Sequence, residues 1–89
     1  MLEREITISN KLGLHARASA KLVQLLQGYQ CDAALIQRGR EVNAKSIMGV
    51  MMLAAGVGST ITLRTDGSDE QLAMNEMIAL FERKFDEGA

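Results

Sequence analysis

The chain has 89 residues, 47% hydrophobic and 24% charged, with ten basic against eleven acidic side chains and a formal net charge of −1. Residues 1–89 therefore read as a single domain with one two-layer core, burying roughly 60–65% of the surface that the unfolded chain exposes. The composition excludes a disordered tail; the lone Cys31 excludes a disulfide scaffold; and no apolar run approaches the ~20 residues of a membrane helix.

Residues 2–8 alternate Leu2, Arg4, Ile6 and Ile8 against Glu3, Glu5 and Thr7, the pattern of a half-buried strand. Asn10-Lys11-Leu12-Gly13 reads as a loop. From Ala16 to Gln27, Ala18, Leu22, Leu25 and Leu26, with Ala16, Ala20 and Val23, form a helical stripe ending at Gly28. Cys31–Gln37 has period two, and a turn at Arg38-Gly39 joins it to Arg40–Asn43 as a hairpin. Ser46 caps a short helix with Ile47, Val50, Met51 and Ala54 as its stripe, ended by Gly56 and Gly58. Thr60–Thr65 alternates again. Ser68-Asp69-Glu70-Gln71 matches a capping box, and behind it Met74, Ile78, Phe81 and Phe85, flanked by Ala73, Met77 and Leu80, predict the longest helix. The order β-α-β-β-α-β-α fits a two-layer α+β sandwich, helices on one face of an antiparallel sheet and water on the other.

Few side chains can carry chemistry. His15 ends the loop Leu12-Gly13-Leu14, with Arg17 two residues on. A helix start offers unpaired N–H groups and about half a positive charge, which favour an anion and a neutral, nucleophilic imidazole. Arg17 adds the planar donors that suit a phosphoryl group. These parts fit a phosphoryl acceptor, but such junctions are common, and spacing alone favours a helix that His15 merely caps, with Arg17 as a solvated charge. Cys31 reads as a buried structural thiol, and one His and one Cys give no metal-ligand spacing. No cofactor is called for. A near-neutral chain with only Tyr29, Phe81 and Phe85 as aromatics offers neither the field nor the stacking surface that nucleic acid requires. The start, Met1-Leu2-Glu3-Arg4-Glu5, has no signal-peptide pattern, so a cytoplasmic location is expected.

Met48, Met51 and Met52 crowd the short helix. Met51 is expected in the core; Met48 and Met52 face outward, where flexible thioethers suit a surface with several partners. Ser46 is an N-cap whose phosphorylation the helix start would tolerate.

Leu14-His15-Ala16-Arg17 after a first strand, and Lys45-Ser46-Ile47-Met48-Gly49-Val50-Met51 some thirty residues on, resemble the HPr family of phosphocarriers of the bacterial phosphoenolpyruvate-dependent sugar phosphotransferase system. The resemblance spans essentially the whole chain. It implies an open-faced β-sandwich, with four antiparallel strands under three helices. His15 would take a phosphoryl group on Nδ1 from phospho-enzyme I and pass it to EIIA domains, as a stoichiometric carrier and not an enzyme. Arg17 and the backbone amides of Ala16 and Arg17 would hold the phosphate. Ile47, Met48 and Met51 would dock partners, and Ser46 would be the regulatory serine of HPr kinase/phosphorylase. Where the family usually has proline after the arginine, this chain has Ala18. Alanine keeps a good helix former there and adds an N–H, so a less preorganised but intact site is expected. The alternatives are a carrier of the nitrogen branch, a carrier acting chiefly as a Ser46-phosphorylated regulator, and a non-catalytic interaction domain. A monomer is the simplest state for a chain of this size.

Overall fold

Four short strands build the sheet of the computed structural model, which describes residues 1–87. The elements are β1 (Leu2–Thr7), α1 (Ala16–Leu26), β2 (Asp32–Gln37), β3 (Arg40–Asn43), α2 (Ile47–Leu53), β4 (Thr60–Asp66) and α3 (Glu70–Glu82), then a 3₁₀ turn at Lys84–Asp86. The strands form one antiparallel sheet in the order β1-β4-β2-β3. Ile61, Leu63 and Thr65 of β4 are buried on the inner face, while Thr62 and Arg64 between them stay partly exposed. On that outer face Arg64 pairs with Glu41 and, at 3.8 Å, with Glu3. The hairpin forms as predicted: Arg38 and Gly39 both take positive φ, 51° and 80°, and place Gln37 opposite Arg40.

The helices close the inner face. Leu22 and Leu26 of α1, Val50 of α2 and Met74 and Met77 of α3 are buried with Leu35, Ile61 and Leu63 of the sheet, each such side chain worth about 1.5–3 kcal/mol when fully removed from water. The α+β sandwich read from the sequence is the fold observed.

Four local expectations are corrected. Met51 is not in the core; it is 42% exposed, because α2 turns Val50 and Leu53 inward, not Ile47, Met51 and Ala54. Seven residues make fewer than two turns, too few for periodicity to choose between neighbouring stripes. The same helix ends without a glycine, through Ala54 in the left-handed region at φ 53°. The capping box does not form. Asp69, not Ser68, is the N-cap of α3, and its carboxylate accepts from the Gln30 and Cys31 N–H groups instead, at 2.8 and 2.9 Å. Those bonds, Gln30's foremost, hold the Asp69 carboxyl below its ordinary range. Finally, Phe85 lies beyond α3. It reaches the core from the 3₁₀ turn and meets Phe81 edge-on, with ring centroids 4.8 Å apart.

Candidate functional site

The loop before α1 is fixed from both sides. Gly13 takes φ +64° and lies so close to the segment after α2 that a Cβ there would stand 2.5 Å from the Ala55 carbonyl oxygen. Its N–H donates to the Asn10 carbonyl at 3.2 Å, and the Leu14 N–H donates to the Ala55 carbonyl at 2.9 Å. Asn10, fully buried, donates from Nδ2 to the Gly13 carbonyl at 2.7 Å. His15 follows as the N-cap residue of α1 with extended backbone, and its carbonyl accepts from the Ser19 N–H at 2.9 Å. Its side chain makes no capping bond. His15 thus caps α1 through its backbone alone, and the imidazole is turned elsewhere. Among the described residues the N–H groups of Ala16, Arg17 and Ala18 have no backbone acceptor outside the helix, as expected of a first turn. The Ala18 side chain is buried, so its difference from proline lies in that added N–H and not in surface shape.

The imidazole, 26% exposed, bonds through Nε2 to Glu87 Oε2. An ionised carboxylate only accepts, so Nε2 carries a proton, and in the neutral ring Nδ1 holds the free lone pair. The bond from His15 holds the Glu87 carboxyl below its ordinary range against partial desolvation, with Asn10 Nδ2 adding a contact to Glu87 Oε1 at 3.3 Å. No bond to Nδ1 is made among the described residues. His15, Arg17, Lys11, Leu12, Asp86 and Glu87 line an open depression of about 620 Å³. The Arg17 guanidinium is exposed there and has no carboxylate partner among the described residues. A nucleophilic ring nitrogen, unpaired amides at a helix start and an unpaired guanidinium thus share one concave surface, an arrangement able to receive a phosphoryl group.

Ser46 and the apolar patch lie on α2, whose far end is tied to the His15 loop through the Leu14–Ala55 bond. The Ser46 Oγ accepts from the Gly49 N–H at 3.1 Å, the predicted N-cap bond. Ile47, Met48, Met51 and Met52 are all exposed, Met48 to 72%. Cys31 is buried, which pushes its thiol up and makes it a poor nucleophile. Among the described residues no group of three His, Cys, Asp or Glu could hold a metal ion, and no helix there is long and apolar enough to cross a membrane. Sequence reasoning missed Asn10 and Glu87, whose contacts join the loop to a segment more than 70 residues away.

Over residues 2–83 the chain matches the family model described as the PTS HPr component phosphorylation site. It is 61% identical over 88 residues to the phosphocarrier protein HPr of Cupriavidus necator, covering 99% of each chain. With the phosphocarrier protein NPr of Shewanella violacea it shares 43% identity over 88 residues, covering 99% of this chain and 97% of the relative. The crystal structure of HPr from Thermoanaerobacter tengcongensis superposes with a TM-score of 0.94 at 40% identity, covering 98% of each chain. With its four-stranded antiparallel sheet under three helices and these matches across nearly its whole length, the chain belongs to the HPr family, the phosphocarrier proteins of the phosphotransferase system.

Proposed function

We propose that the chain works as one HPr unit that accepts a phosphoryl group on Nδ1 of His15 from phospho-enzyme I and delivers it to EIIA domains for sugar uptake. The observation that carries this reading is the Glu87 bond at Nε2, which leaves the Nδ1 lone pair free beside the start of α1.

In the transfer, the Nδ1 lone pair forms the new N–P bond as the bond to the donor atom breaks, and that bond's electron pair returns to the donor. The proton on Nε2 stays in place. The ring gains positive charge, which Glu87 offsets, and the phosphoryl oxygens meet the amides of Ala16, Arg17 and Ala18 and the Arg17 guanidinium. Delivery to EIIA is the same step reversed onto a new acceptor, so His15 is regenerated and nothing is turned over by the carrier alone. No cofactor or metal enters the step.

Ile47, Met48 and Met51 form the docking patch for both partners, an exposed and adaptable apolar surface on α2. At Ser46, HPr kinase/phosphorylase would add nearly two negative charges at the edge of that patch and hinder docking of enzyme I. The charged edges of the sheet, short β3 on one side and β1 with Arg4 on the other, support a monomer. A second reading is favoured by the NPr match: a regulatory carrier of the nitrogen branch, using the same His15 step.

Incubation with phosphoenolpyruvate and enzyme I tests the proposal by intact mass. The chain should gain one acid-labile phosphate and lose it when EIIA is added. An enzyme I that charges another HPr but leaves this chain unmodified overturns the reading. Faster charging by nitrogen-branch enzyme I than by the sugar-branch enzyme selects the second reading.

A further inference from the structure

We propose that Asn10 is a positioning residue for phosphoryl transfer: by holding Glu87 Oε1 it keeps Glu87 Oε2 on Nε2 of His15, and so keeps the Nδ1 lone pair free. This deepens the reading of His15 as the acceptor and rests on it.

Three observations meet at this point. Asn10 Nδ2 donates both to the Gly13 carbonyl and to Glu87 Oε1, so one amide group ties the His15 loop to the segment after α3. Both of those atoms are acceptors, which fixes the amide's orientation and turns Oδ1 away from them. Oδ1 is then buried, with no hydrogen-bond partner among the described residues. The segment that carries Glu87 is strained. Lys84, Phe85 and Asp86, none of them glycine, take consecutive φ values of 55°, 55° and 61°. Backbone in that region persists only where its surroundings over-determine it. Here the surroundings are the buried Phe85 ring, the bond from Lys21 Nζ to the Phe85 carbonyl at 2.7 Å, and the Arg83–Asp86 pair at 3.1 Å. These hold the backbone up to Asp86. The Glu87 carboxylate itself has only His15 and Asn10 as hydrogen-bond partners among the described residues, so Asn10 decides where it points.

The test compares wild type, Asn10→Ala, Glu87→Ala and the double variant, each checked for folding by its amide NMR spectrum. Two quantities are read: the rate of phosphate uptake from phospho-enzyme I, and the His15 ring ¹⁵N shifts, which report the tautomer without any phosphate. Asn10→Ala should slow uptake about tenfold and move the ring from the Nε2–H form toward a mixture. Glu87→Ala should do at least as much, and the double variant should be no slower than Glu87→Ala. Effects that multiply in the double variant would show that Asn10 acts only through the loop, and would overturn the proposal. So would an unchanged tautomer in Asn10→Ala, or uptake at the wild-type rate. Asn10→Asp, nearly the same shape, replaces Asn10→Ala if that variant does not fold; its carboxylate repels Glu87 and should give the same slowing and the same tautomer change. If the wild type takes up no phosphate, the acceptor reading fails, and the tautomer shifts alone decide whether Asn10 sets the ring.

Discussion

His15→Ala should take up phosphate at least a thousandfold more slowly than wild type, with no acid-labile adduct detectable by intact mass, while folding normally. Loss of the nucleophile removes the step itself, since Cys31 is buried and no second histidine exists. The expected cost in stability is small. The imidazole makes no capping bond to α1, and its hydrogen bond among the described residues, to Glu87, is part-buried. Its removal should cost about 1 kcal/mol, or roughly 4–8 °C in melting temperature for a domain of this size. An interaction domain in which His15 were dispensable would bind its partners equally well after the change. A carrier would still dock enzyme I through α2 yet fail to charge. An acid-labile phosphate retained in His15→Ala would place the acceptor elsewhere.

Gly13→Ala should be the most damaging single methyl group in the loop. An alanine at φ +64° costs about 1–2 kcal/mol on conformation alone. The added Cβ would also stand 2.5 Å from the Ala55 oxygen and 2.7 Å from the Gly56 Cα, backbone atoms that cannot rotate away. Relief requires the segment after α2 to move, which breaks the Leu14–Ala55 hydrogen bond at a further ~1 kcal/mol. The total is about 2–3 kcal/mol, about 8–24 °C in melting temperature, and phosphate uptake should slow even well below the transition because His15 rides on the displaced loop. Gly58→Ala is the control. Gly58 has φ +87° but open space where its Cβ would go, so only the conformational part of the loss should appear. Equal losses at the two glycines would contradict the close-approach argument.

The sequence made the strands, the hairpin and α1 readable because each rests on a local signal: period two, the Arg38-Gly39 pair, and a long apolar stripe. It placed His15 and Arg17 at a helix start for the same reason. What escaped it depends on closure of the chain. Phe85 continues the spacing of α3, yet the backbone leaves the helix after Glu82 and returns Phe85 to the core by a left-handed turn. Ser68 and Asp69 are equally good caps by type, and only the position of the Gln30 and Cys31 amides decides what Asp69 binds. Met51 lies on a helix too short to reveal its buried face. Most consequential, Asn10 reads as an ordinary loop residue and Glu87 as one more acid near the end of α3. Their meeting at His15 has no local signature, because a tertiary contact across 72 residues leaves no periodicity behind.

Phosphoryl transfer to Nδ1 is tested most directly by the site of the phosphorus on the charged protein. After charging of ¹⁵N-labelled chain by enzyme I, the one-bond coupling between ³¹P and ¹⁵N identifies the ring nitrogen involved. Coupling to Nδ1 of His15 is expected, with Nε2 still protonated toward Glu87. Coupling to Nε2, or phosphorus on no ring nitrogen at all, would contradict it.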